Sequence, residues 1–155
     1  MLTYWRELTV TWGECDPFGL VYYPHMLAWF NDTEHACLRA LGEPIDAMIA
    51  RDRTTFVMGE VAFRFTGPVR YGQRVLSVVR LERIGRSTLE WATRCVHVDD
   101  GAAIAHGRAT RVYARINADD TLSATPVGDA LRALLEAATP PLPPLPPHLV
   151  TALDW

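Results

Sequence analysis

The run Asp16-Pro17-Phe18-Gly19-Leu20-Val21-Tyr22-Tyr23-Pro24 sets a carboxylate on a tight turn just ahead of a proline suited to a helix start. In Asp-Pro-x-Gly the proline takes position i+1 of the turn and the glycine position i+3, so Asp16 ordinarily caps the turn with its side chain. The residues after Gly19 support a second use. A helix start leaves N–H groups unpaired and partially positive, and the Tyr23 N–H falls at or just before it. A donor there suits a carbonyl oxygen that gains charge during acyl transfer, and a carboxylate nearby serves as base or nucleophile. Trp12, Phe18, Tyr22 and Tyr23 offer an aromatic wall against water. Glu14 and Cys15 read as turn surface and packing.

Other chemistries lack their residues. Ser77, Ser87 and Ser123 are the only serines, and none lies in G-x-S-x-G. His25 and His35 are too far apart for a zinc pair, and His97 and His106 fall on separate strands. No glycine-rich dinucleotide or phosphate loop opens a helix. The sequence contains no lysine, which removes Schiff-base chemistry. No cofactor and no metal are called for.

The elements that must position Asp16 are a strand before it and a helix after it. Residues 3–12 are aromatic and β-branched, with Tyr4, Arg6, Leu8, Val10 and Trp12 on one face. From Pro24 the residues Met26, Phe30, Thr33, Cys37 and Leu41 make a helical stripe, with Trp29 and Phe30 read as core, and Gly42 is a stop. That helix is about 27 Å long at the usual rise. Residues 43–52 suggest short helical turns. Strands are expected over 54–69, 74–85, 86–98 and 102–117, separated by glycine-containing turns. Residues 127–138 read as a short helix, and 139–155 as a proline-rich tail in polyproline II form lying on its own domain. The pattern gives an α+β class, one antiparallel sheet with a single long helix on its concave face. One domain is expected over 1–138, with the tail following.

A chain of 155 residues with 49% apolar and 21% charged residues is an ordinary globular composition. A net charge of −3 argues against nucleic acid as the main partner. Cys15, Cys37 and Cys95 fit a reducing compartment better than a disulfide framework. No signal peptide and no membrane span are legible, so a cytoplasmic location is expected.

The stretch WGECDPFGLVYYPHMLAWF resembles the opening of the 4-hydroxybenzoyl-CoA thioesterase type of hotdog-fold enzymes. The likeness is strongest over residues 10–42 and continues more weakly through FRFTGPVRYGQRVLSV and RIGRSTLEW. It implies a curved sheet of about five strands wrapped around the long helix. It also implies dimers joined edge to edge into a ten-stranded sheet, often paired into tetramers, with active sites between subunits. On the resemblance, Asp16 is the catalytic aspartate, the Tyr23 backbone N–H polarises the thioester carbonyl of an acyl-CoA, and Gly19 keeps the turn open. Arg86 and Ser87 fall where relatives contact the CoA nucleotide and phosphates; Arg83 and Arg86 also read as solvated arginines beside a hairpin turn. Asn31 stands where the hydroxybenzoyl-specific enzyme has an aspartate facing the phenol hydroxyl, which argues against that substrate and leaves other aromatic or medium acyl groups. His25 replaces an amide-type residue at the helix start, to touch substrate, tune Asp16 or lie exposed. Glu60 reads as a solvent-facing strand residue or a second carboxylate.

Rival readings are a carrier-protein thioesterase, a dehydratase (which wants a histidine in the groove) and a non-catalytic CoA-ester binder.

Overall fold

The computed structural model describes all 155 residues. Strand β1 (Thr3–Thr9) leads through a 3₁₀ turn at Trp12–Glu14 into the long helix α1 (Tyr23–Ala40), followed by α2 (Ile45–Asp52). Four strands then succeed one another: β2 (Thr54–Phe65), β3 (Arg74–Ile84), β4 (Thr88–His97) and β5 (Ala103–Ile116). A short β6 (Leu122–Ala124), α3 (Asp129–Ala137) and α4 (Pro147–Ala152) close the chain. The main sheet runs β1-β3-β4-β5-β2, antiparallel throughout, with β6 paired to the end of β5.

Helix α1 buries Met26, Trp29, Phe30, Thr33, Glu34, Cys37 and Leu38, a stripe at three- and four-residue spacing that lies against the concave face of the curved sheet. Its first half packs with Val10, Val69, Val75 and Ile104, and its second half with Val79, Leu81, Trp91 and Tyr113. A neutral polar peg crosses this interface where the hydroxyls of Thr33 and Ser77 share a hydrogen bond of 2.9 Å. The rings of Phe30 and Phe63 stack 4.5 Å apart, fixing α1 against β2. Burial lifts the Cys37 thiol to about 12 and pushes Cys95 up as well, so both are packing groups at neutral pH.

Strand β3 is buried on both faces. Val75, Ser77 and Val79 are buried with α1, while Leu76 and Val78 pack with Val96, Val98 and Leu149 beneath the C-terminal segment. That segment is not polyproline throughout. Pro147 occupies the first position of α4, where its missing N–H costs nothing, and buried Leu149 rewards the helical turn. Arg94 donates to the carbonyls of Ala152 and Asp154, and the Trp155 ring lies against the guanidinium groups of Arg80 and Arg94. No helix is long and apolar enough to cross a membrane.

Candidate active site

The Asp16 turn closes on itself. The Gly19 N–H donates to the Asp16 carbonyl at 2.9 Å, and the Asp16 N–H donates to the Leu20 carbonyl at 2.7 Å. Asp16 Oδ1 accepts from the N–H groups of Phe18 (2.9 Å) and Leu20 (3.1 Å). Gly19 has φ +75°, a left-handed conformation that a Cβ disfavours. The side chain therefore caps its turn, as Asp-Pro-x-Gly does in ordinary turn chemistry, but with one oxygen only. Oδ2 has no partner in the chain, so the carboxylate is both fixed and available.

The chain then crosses to α1. The Val21 N–H donates to the Val69 carbonyl and the Tyr22 N–H to the Glu14 carbonyl, each at 2.9 Å. Helix α1 begins at Tyr23, one residue before the proline, and no side chain caps it. The Tyr23 N–H belongs to the unpaired set at the helix start and has no acceptor in the chain. The turn thus delivers an anchored carboxylate and an unused, partially positive donor within eight residues of sequence.

Glu14 is a brace, not turn surface. Its Oε2 accepts from the N–H and hydroxyl of Thr11, and its Oε1 accepts from the Trp29 indole at 2.8 Å, tying the loop to α1. Burial raises its carboxyl, but the hydrogen bonds from Thr11 and Trp29 and the charge of His25 outweigh this and hold Glu14 below its ordinary value. His25 is half-buried with its ring edge-on to Tyr22. Arg70, which the sequence did not single out, donates to the Phe18 carbonyl at 3.2 Å and brings a guanidinium to the turn.

The aromatic wall is not sealed within one chain. Trp12 is 71% exposed and Phe18 81%, while Tyr22 and Tyr23 are about half exposed. Trp12 meets Tyr71 edge-on at 5.5 Å, and Tyr23 meets Phe65 at 5.9 Å. These rings line the site but need substrate or a second chain to exclude water.

Further along the same face of α1, a cavity of about 310 Å³ opens between the helix and strands β2 and β5. Leu27, Phe30, Met58, Val61 and Phe63 make its apolar walls, with Asn31 also lining it. Asn31 lies eight residues beyond Tyr23, roughly 12 Å along the helix axis. Its Oδ1 accepts from Arg111 at 2.9 Å, and Arg111 Nε donates to Glu34 at 2.6 Å. Glu34 and Arg111 are 3% and 6% exposed. Burial pushes the Glu34 carboxyl up, and Arg111 opposes it.

Arg86 and Ser87 lie elsewhere. They form the β3–β4 turn, where the Arg86 carbonyl accepts from Val127 and the Ser87 carbonyl from Tyr113, each at 2.8 Å. The registers put this turn at the opposite end of the sheet from Asp16, about 30 Å away along β3 at the usual strand rise. One chain does not bring the two groups together. Arg83 is committed to Glu90 at 2.5 Å, so of the two arginines beside this turn only the Arg86 side chain is unpaired. Glu60 is exposed on β2 beside a bulge at Gly59, which fits the solvent-facing reading.

Residues 10–153 match the Thioesterase-like superfamily, and solved structures share the fold. The 4-hydroxybenzoyl-CoA thioesterase of Pseudomonas sp. strain CBS-3 superposes with a TM-score of 0.78 at 16% identity, over 85% of this chain and 98% of that one. A 1,4-dihydroxy-2-naphthoyl-CoA thioesterase from Synechocystis gives 0.77 at 13% identity, over 87% and 96%. The Dynemicin thioesterase gives 0.77 at 24% identity, over 86% and 95%. A Synechocystis protein that carries an esterase name is 26% identical over 94 residues, which span 61% of this chain and 56% of that relative. With the family matched along nearly the whole chain and the hotdog architecture in place, this protein belongs to the Thioesterase-like superfamily.

Proposed function

We propose that this protein hydrolyses acyl-CoA thioesters, with Asp16 as the catalytic carboxylate and the Tyr23 N–H as the oxyanion donor. The observation that carries the reading is the division of labour in one loop. Asp16 Oδ1 is held by two N–H groups while Oδ2 is free, and the unused Tyr23 N–H opens an uncapped helix a few residues on. The acyl group lies along α1 with its carbonyl oxygen on the Tyr23 N–H. Either Asp16 Oδ2 attacks the carbonyl carbon, expelling CoA thiolate and leaving a mixed anhydride that water opens, or Asp16 takes a proton from the water that attacks. In both routes the C–S bond breaks, the thiolate is protonated and the carboxylate is regenerated. The two named CoA thioesterases above act on aromatic acyl groups, which supports an aromatic acyl group here, with short and medium acyl groups the alternatives.

The working unit is a dimer or a tetramer built from dimers. Strand β2 is an outer edge with its far side unpaired, and it exposes Met58, Val61 and Phe65, an edge that a second copy would pair and cover. Edge-to-edge pairing extends the sheet to ten main strands and closes the aromatic site from outside. Arg86 and Ser87 then serve the CoA phosphates of a neighbouring subunit's site, since Asp16 of their own chain is out of reach.

The test is free-thiol release from benzoyl-, 4-hydroxybenzoyl-, phenylacetyl- and short and long aliphatic CoA esters, with the matching carrier-protein thioesters beside them. Turnover on a CoA ester is expected, with 4-hydroxybenzoyl a poor substrate because Asn31 offers no charged acceptor. Turnover confined to carrier-protein thioesters would move the reading to that substrate class. Saturable binding without turnover would contradict it.

A further inference from the structure

The polarity of the acyl cavity follows from Arg111. A guanidinium only donates, so the Asn31 atom facing it at 2.9 Å is the amide oxygen. The Asn31 amide nitrogen has no partner in the chain, although Asn31 lines the cavity. Arg111 cannot swing away, because its Nε is bonded to Glu34 at 2.6 Å and both are buried. Breaking that pair would strand a buried charge. The amide is therefore locked with its donor free.

Resting on the thioesterase reading, we propose that Asn31 selects acyl groups carrying a hydrogen-bond acceptor, such as a ketone or ether oxygen, deep in the chain or ring system, and that Arg111 is the positioning residue for that donor. Tyr23, Leu27, Phe30, Asn31 and Glu34 fall on one face of α1, so an acyl group held at the Tyr23 N–H and running along the helix reaches Asn31 after roughly 12 Å. The Asn31 side chain leans back toward the helix start, so a substituted ring or a medium-length chain bridges the two. The walls before Asn31 are apolar, with Glu34 and Arg111 the only charged lining, so an acyl group without an acceptor covers the amide donor and leaves it unpaired.

The experiment compares decanoyl-CoA with a set of oxodecanoyl-CoAs bearing the ketone at successive carbons. Wild type is expected to favour one ketone position over decanoyl-CoA by about tenfold in kcat/KM, the scale of one hydrogen bond to an otherwise unpaired group. Asn31→Asp replaces the donor by an acceptor and should reverse the ratio, favouring the matching hydroxydecanoyl-CoA over the ketone. The double variant Glu34→Leu/Arg111→Met removes the lock without stranding a charge. It should bring the ketone ratio towards one, a change that lost stability cannot mimic because unfolding scales both esters alike. Asp16-dependent turnover with equal rates on all ketones and on decanoyl-CoA would overturn the inference and leave the thioesterase reading standing. If no CoA ester turned over, calorimetric binding of the same esters to the protein would decide. Tighter binding of one ketone supports the donor site, and equal affinities overturn it.

Discussion

The two ends of the sheet are built on opposite plans. At the Asp16 end the backbone is tied down by the Glu14, Val69 and Leu20 carbonyls and by Glu14 on Trp29, yet the side chains around it are exposed and Asp16 Oδ2 and the Tyr23 N–H are unpaired. At the Arg86 end the turn is clamped by Arg132, which donates to the Ile84 and Gly85 carbonyls at 3.2 and 2.6 Å, above a core of Leu81, Leu89, Trp91 and Leu135. There only the Arg86 side chain is uncommitted. One end is rigid in backbone and open in chemistry; the other is closed, with a single cation left over. On the proposed function, each site is drawn from the two ends of two different copies.

Breaking the pairing should have the largest effect. Ala62→Arg on the β2 edge adds a cation beside Arg64 and Arg108, and a two-fold contact would set it against its own copy. Like charges so placed should weaken association by about 100-fold or more. Sedimentation should show monomers, with activity falling in step. A fully active monomer would mean that the Asp16 end needs no partner.

Next in size is the brace. Glu14→Ala removes both Thr11 contacts and leaves the Trp29 indole unpaired, at a cost of about 2 kcal/mol by denaturant titration. Because Glu14 is held below its ordinary value, the stability it lends is complete above the unfolded-state value and is lost as pH falls through the folded-state one. Glu14→Gln should therefore flatten the acid limb of the stability profile relative to wild type. An unchanged limb would remove Glu14 from the account.

Gly19→Ala makes only an ordinary contact with Arg70 Nη1 at 3.9 Å but keeps a φ of +75°, so it should cost about 1 kcal/mol and lower kcat by shifting Asp16. An Arg86→Ala change should be the smallest, raising KM for CoA esters about threefold to tenfold with kcat little changed. A kcat effect instead would place Arg86 closer to the chemistry than the neighbouring-subunit arrangement allows.

Much of this was legible locally. Asp-Pro-x-Gly marked the turn, the helical stripe gave α1 nearly to its last residue, and the glycine turns separated the strands. What escaped depends on partners distant in sequence. Glu14 looked like surface because Trp29 lies fifteen positions on, and the Asn31–Arg111 bond joins residues eighty apart. Arg70 reaches Phe18 across fifty-two. Helix α4 hid in proline-rich composition because its stability comes from Leu149 packing on the outer face of the sheet, and the three-residue β6 exists only as a partner for β5. The separation of Arg86 from Asp16 follows from strand register, which no local motif encodes.

The most direct test is Asp16→Asn on the best CoA ester, with turnover and affinity measured on the same preparation. The amide keeps the turn cap through its oxygen but loses the basic, nucleophilic carboxylate. The expected result is a kcat lower by about 10²- to 10⁴-fold with the ester still bound at near wild-type affinity. A variant that hydrolyses the ester at close to the wild-type rate would contradict the assignment of Asp16.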